Sequence, residues 1–285
     1  MSQTSRRLAA AAVASAVALA LAACSGSPGS SGSSGADDAA SGYVTEGKLT
    51  IGTAEPAYYP WVIDDDPESG EGFEAAVAYA VAEELGFAKE DVVWVRTTFE
   101  QAIAPGPKDF DFNLQQFSIT EDRKKAVDFS SPYYETTQVV ITTGDSAAAD
   151  ASSLADLKGL VIGAQTGTTS FIAAEDTIAP TGGVQAFNSN DDAKAALEAG
   201  QVDAIVVDLP TAFYMTGAEL DDGLIVGQLP ADDAAEGDQL GLVLAKDSPL
   251  TDDVTAAVDA LREDGTLDEL AEKWLGGDEN APVLQ

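Results

Sequence analysis

From Lys48 onward the chain alternates short β-branched runs with helix-favouring segments, and this alternation limits the possible folds more than any other feature of the sequence. Strand and helix in turn predict an α/β architecture with mainly parallel sheets and crossover helices. KLTIGTA is a short apolar strand that breaks at Glu55 and Pro56, and GFEAAVAYAVAEELG then carries helix formers as far as Gly86. DVVWVR is the next strand, β-branched at Val92, Val93 and Val95. VDFSSPYYETTQVVITTG reads as a long strand entered through a proline turn. KGLVIGAQ and QVDAIVVD are buried-type strands, the second ending on Asp208, and between them NSNDDAKAALEAG opens on capping residues and closes at Gly200. TDDVTAAVDALREDG and TLDELAEKWLG form a closing amphipathic helix pair, with Thr251 and Thr266 as expected caps.

Ahead of this body, Arg6 and Arg7 precede an uncharged Ala, Val and Leu run from Leu8 to Leu21 that closes on small residues and Cys24. The run is signal-peptide length and shorter than the roughly 20 residues a spanning helix needs. Residues 1–23 are therefore expected to be removed. Leu21-Ala22-Ala23-Cys24 resembles the bacterial lipobox, which implies lipidation of Cys24 and a membrane anchor on the extracytoplasmic face. Ser5-Arg6-Arg7 faintly resembles a twin-arginine signal, and the export route stays open. Residues 24–42 are almost wholly small and polar and read as a flexible tether.

The 285 residues, 45% hydrophobic, hold enough apolar material for a sizeable core. A charge of −35, becoming −37 once residues 1–23 are gone, repels a polyphosphate backbone, so no nucleic acid partner is expected. The acids are dispersed, which favours general solubility over a cation-binding patch. With no histidine and one cysteine, the chain has no Ser-His-Asp triad, no Cys-His pair and no nitrogen or sulfur zinc site. Asp64-Asp65-Asp66-Pro67-Glu68 lacks EF-hand spacing and reads as a solvated hairpin turn. No cofactor and no metal are expected.

SITEDRKKAVDFSSPYY, LKGLVIGAQTGTTS, VDAIVVD and LREDGTLDELAEKWLG, in that order, resemble the family 3 solute-binding proteins, the extracytoplasmic receptors of polar amino acid ABC importers. The likeness runs from about Lys48 to Gly276. It implies a two-lobed periplasmic-binding-protein-like α/β fold with the ligand between the lobes. Lobe 1 would span 43–136 plus 239–285 and lobe 2 137–238, with crossings near Glu135 to Gln138 and Glu236 to Asp238. It further implies a monomer that hands a small amino acid or similar zwitterion to a membrane permease and breaks no bond.

Arg123 follows the strand-like FNLQQFSI, and its guanidinium suits bidentate capture of a carboxylate. A surface arginine paired with Glu121 or Asp122 is the simpler alternative. By resemblance, Ser118 offers its backbone N–H to the same carboxylate. Gln115 and Gln116 stand where relatives offer a carbonyl and a small residue near the ligand amine, and a glutamine at 116 departs from the usual Gly or Ser. GAQTGTTS lacks the lysine of a phosphate loop. Gly167 permits close backbone approach, Thr168 and Thr169 match carboxylate-binding positions, and simple capping would explain the threonines too. Gln165, in the same loop, would admit amide or acidic side chains. Asp208, at a strand end facing the expected crevice, matches the family's amine-binding aspartate, with capping of the next helix as the alternative. Glu55, Tyr58, Trp61 and Phe73 match the regions where relatives enclose the ligand side chain. Glu55 and the aromatics lean toward a cationic side chain, and core packing is an equal reading for Trp61. A carboxylate-dependent dehydratase or hydrolase on the same fold is the enzymatic alternative, and a surface lipoprotein with a vestigial cleft is the third.

Overall fold

The computed structural model describes residues 42–230, 237–276 and 281–285, all within one compact unit, Ala40–Gln285. The signal peptide, Cys24, the tether as far as residue 41, and Glu236 of the second crossing lie outside the described residues.

The strands are β1 (Leu49–Ala54), β2 (Val92–Thr97), β3 (Phe112–Asn113), β4 (Val127–Thr136), β5 (Gln138–Thr143), β6 (Ile162–Gln165), β7 (Val184–Phe187), β8 (Ala204–Asp208), β9 (Gly223–Gln228) and β10 (Asp238–Ala245). They build two five-stranded sheets, ordered β2-β1-β3-β10-β4 and β7-β6-β8-β5-β9. The helices are α1 (Phe73–Glu84), α2 (Phe99–Ile103), α3 (Leu154–Leu157), α4 (Thr169–Ala173), α5 (Asn190–Glu198), α6 (Leu209–Tyr214), α7 (Thr251–Glu263) and α8 (Thr266–Leu275). The architecture is α/β and two-lobed, as expected.

The sheets are mixed rather than mainly parallel. β1 pairs in parallel with β2 and β3, and β6 with β7 and β8, but β10 runs antiparallel to β3 and β4, and β5 antiparallel to β8 and β9. The exceptions have one cause. β4 leaves the first sheet at Thr136 and β5 enters the second at Gln138, while β10 returns the chain to the first, so the connecting strands enter against the parallel direction.

Period-two geometry explains the continuous apolar runs of the second sheet. Val139, Ile141, Ile205 and Val207 face the core beneath α5 and α6, whereas Val140, Ala204 and Val206 face a second core with Leu157, Ala174 and Ile178. The first sheet packs Leu49, Ile51, Leu242 and Leu244 against Val77 and Val81 of α1 and Val254 and Val258 of α7.

Local expectations change in five places. The stretch read as one long strand, VDFSSPYYETTQVVITTG, is two, β4 and β5, interrupted at Thr137 and belonging to different sheets. Pro132 lies inside β4 rather than at a turn before it, because the pairing with β10 shifts register there, where a missing N–H is tolerated. Thr251 and Thr266 are the first residues of α7 and α8, not caps, and the cap positions fall to Leu250 and Gly265. The aspartate run forms two 3-10 turns, Ile63–Asp65 and Pro67–Ser69, with Asp65 held by Arg96 and by the Ala57 amide. Finally, residues 281–285 belong with the second sheet, not with lobe 1. Leu284 is buried in its core, and Pro282 and Leu284 hydrogen-bond Gln228 of β9. An apolar tail is drawn to whichever core leaves it space, and sequence order does not reveal which core that is.

Candidate ligand-binding site

β3 ends after Asn113, and the chain bends away through Gln116, whose φ of +52° lies in the left-handed region. Glu74, in the first turn of α1, holds that bend. Its carboxylate accepts from the Gln116 backbone N–H at 2.7 Å, from Gln116 Nε2 and from the Tyr133 hydroxyl. Burial pushes the Glu74 carboxyl up to about 7 against the pull of those donors. The Gln116 side chain is thus tied back to α1. Gln115 also turns inward, donating to Thr97 Oγ1 and to Asn113 Oδ1.

Arg123 opens a 3-10 turn beyond this bend and is not paired with its acidic neighbours, because Glu121 holds Lys124 at 2.8 Å and Asp122 holds Lys125 at 2.6 Å. Its guanidinium donates to the Ser118 carbonyl at 2.7 Å and to the Gly167 carbonyl at 2.9 Å, one from each side of the cleft, and lies 5.3 Å over the Phe99 ring. Burial lowers its pKa, opposed by the charges of Asp238 and Asp208.

From the second sheet, β6 delivers Gln165 and the loop after it delivers Gly167, whose φ of +75° suits glycine; a Cβ there would meet nothing within 4 Å, so conformation rather than crowding accounts for it. Thr168 is the N-cap of α4: its hydroxyl accepts from the Phe171 amide and donates to the Gln165 carbonyl. Thr169 instead meets Ser118 across the cleft, Oγ to Oγ at 2.9 Å. Asp208 makes no capping bond to α6; it accepts from Gln138 Nε2 at 2.9 Å. Burial, reinforced by the charge of Asp238, pushes the Asp208 carboxyl up to about 7.

The sides of the cleft also meet through a buried hydrogen bond, Trp61 Nε1 donating to Thr211 Oγ1 at 3.1 Å, and nearer the surface through the rings of Tyr59 and Tyr214, 4.3 Å apart. Tyr58 faces Asp191 and Ser189 at the start of α5, and its hydroxyl pKa is raised by burial and by Asp191. A cavity of about 280 Å³ opens beside these contacts, lined by Glu55, Tyr58, Phe99, Glu100, Gln115, Gln116, Gln165 and Asn190 among others, and no lysine or arginine lines it.

The structure therefore gathers the candidate residues into two adjoining groups. Ser118, Arg123, Gly167, Thr169 and Asp208 form a polar cluster, while Glu55, Tyr58, Gln115, Gln116 and Gln165 line the cavity. Phe73 joins neither, being wholly buried against Trp61, Tyr133 and Tyr134. Glu74, Gln138 and Asp238 enter the site unforeseen. The two chain crossings were the available signal for Gln138 and Asp238, because strands that pass between lobes must run along the floor of the cleft.

Two α/β sheets joined by crossing strands, with a guanidinium on one side and a carboxylate on the other, define a two-lobed binding protein. The chain belongs to the bacterial extracellular solute-binding proteins, family 3, whose model matches residues 49–277. It is 31% identical over 230 residues to an L-arginine-binding protein of Pseudomonas aeruginosa, covering 79% of this chain and 86% of that one. Among solved structures it resembles an ancestral arginine-binding protein bound to glutamine, with TM-score 0.67, 31% identity, and coverage of 82% of this chain and 100% of that one. It also resembles AncCDT-1, an ancestral amino acid-binding protein described as a precursor of cyclohexadienyl dehydratase, with TM-score 0.66, 32% identity, and coverage of 80% and 95%. Among the described residues, no helix is long and apolar enough to cross a membrane.

Proposed function

We propose that this protein captures a cationic amino acid between its lobes, 43–136 with 239–276 and 137–238, and presents it to an ABC importer. One observation carries the reading. In a chain of charge −35, Arg123 is withheld from every carboxylate among the described residues and donates only to backbone carbonyls on the two sides of the cleft, leaving N–H groups for an incoming carboxylate. Asp208, from the opposite sheet, then meets the α-amine. The cavity acids Glu55 and Glu100, with Tyr58 and Phe99, favour a cationic side chain, and arginine is the first ligand to test given the relatives. The amides of Gln115, Gln116, Gln165 and Asn190 favour glutamine as the second. The protein binds without turnover. Its buried acids are held by hydrogen bonds of their own, Glu74 by Tyr133 and Gln116 and Asp208 by Gln138. It acts as a monomer, fixed to the outer face of the cell membrane through lipidated Cys24.

A thermal-shift screen of the purified full chain against the amino acids tests this. A ligand at a hundred times its dissociation constant stabilises by about 2.7 kcal/mol. Arg123→Ala and Asp208→Asn should each weaken binding of the best ligand at least about tenfold. Unchanged affinity in both folded variants would move the site elsewhere, and consumption of the ligand would favour the dehydratase or hydrolase alternative.

A further inference from the structure

Gln138 stands at the start of β5, where the chain first crosses between the sheets, and Asp238 at the start of β10, where it returns. Gln138 Nε2 lies 2.9 Å from Asp208 Oδ1, 2.7 Å from Asp238 Oδ2 and 3.4 Å from Thr169 Oγ1, three acceptors for the two hydrogens of one amide. Gln138 is only 8% exposed, and its Oε1 has no protein donor. Asp238 gains one further contact, from Ser118 Oγ at 3.4 Å. Arg123, the nearby cation, is bonded to carbonyls and to neither carboxylate. Two carboxylates and an amide oxygen thus converge where donors are too few, and a buried acceptor without a donor is costly.

We propose that Asp238 is a positioning residue that holds a proton on the Asp208–Asp238 pair across Gln138 in the ligand-free protein, and that the ligand's ammonium group displaces this proton to solvent. The ammonium supplies the missing donors and the positive charge together, so uptake of the ligand is matched by release of a proton. The groups facing Asp208 favour this exchange. Asp238 from β10 and Glu74 from α1 oppose its ionisation, Arg123 and Gln138 support it, and Tyr133 and Tyr134 of β4 lie within its field. Burial with the Asp238 charge places the Asp208 carboxyl at about 7, where such an exchange operates at ordinary pH.

The inference rests on Asp208 reading the ligand amine, and two measurements separate the claims. In the ligand-free full chain, carbon-13 NMR of the aspartate carboxyls, with the Asp208 signal assigned by its loss in Asp208→Asn, should show a midpoint near neutrality that falls by a unit or more in Asp238→Asn. An ordinary Asp208 midpoint in the wild type, or one unmoved by Asp238→Asn, overturns the proposal while leaving the binding reading intact. Calorimetry of L-arginine at pH 7, in buffers of different ionisation enthalpy, should show about half a proton released per ligand, and affinity about tenfold weaker at pH 6 than at pH 7.5. In Asp238→Asn both effects should shrink toward zero. Glu74→Gln, which removes the other acid titrating near neutrality, should leave the release in place; loss of the release there would assign the proton to Glu74 and overturn the proposal. Failure of L-arginine to bind, with the Asp208 midpoint near neutral, would refute the ligand assignment but not the shared proton.

Discussion

At Gln116 the backbone takes a conformation that favours glycine, and a buried acid compensates. Glu74 accepts from both the backbone and the side chain of Gln116, so the side chain that departs from the family's small residue is drawn toward α1. Holding an acid there has a pH signature. An unfolded glutamate loses its proton near 4.5, whereas the folded Glu74 keeps it up to about 7. The folded state therefore binds more protons in that window, and the stability contributed by Glu74 is full below about pH 4.5 and declines as pH rises toward 7. Glu74→Gln carries no charge at any pH. Its stability relative to wild type should rise between pH 5 and pH 8 by on the order of 2 to 3 kcal/mol, read from urea melts at the two values. A constant difference across that range would show that Glu74 ionises normally.

At the scale of elements, the C-terminal tail joins parts of the chain that sequence order keeps apart. Residues 281–285 return to β9, where Leu284 enters the second sheet's core and Gln285 accepts from the Leu154 amide at 3.0 Å. β9 leaves room for the tail at Gly227, where a Cβ would stand 2.6 Å from the Pro282 carbonyl oxygen. Leu284→Ala should therefore cost about 2 to 5 kcal/mol in chemical denaturation, the range for a buried leucine. Stability within a few tenths of wild type would mean that the tail contributes little to the second sheet. Helices α1 and α5 were easier to read, since α1 ends near Gly86 and α5 begins at the Ser189 cap, both marked by local chemistry. The cap assignments at Thr251 and Thr266 failed because a hydroxyl one position inside a helix looks, in sequence, like one at its boundary.

Across the whole molecule the acidic excess is spread out. Several lysines and arginines pair with nearby acids, as in Lys48 with Asp91, Lys246 with Asp128 and Arg262 with Asp259, while Arg123 makes no ion pair among the described residues. The proposed lipid anchor is the other feature at this scale, and Cys24→Ser tests it. Cell fractionation should find the Ser variant released from the membrane, and its retention there in cells lacking the importer would refute lipid anchoring.

The α/β class and the main alternation, β1, α1, β2, β6, α5, β8, α7 and α8, were legible from the residues, because propensity, periodicity and capping act over a few residues, whereas the crossings were implied only by the family resemblance. The sequence also brought Arg123 and Asp208 to notice, through the family's ordered motifs. Tertiary structure alone decided that the sheets are mixed, that the tail belongs to the second, that Phe73 is core, and that Glu74, Gln138 and Asp238 share the site. The physical reason is distance along the chain. Gln138 and Asp238 are a hundred residues apart, and only two strands crossing side by side bring them within 2.7 Å.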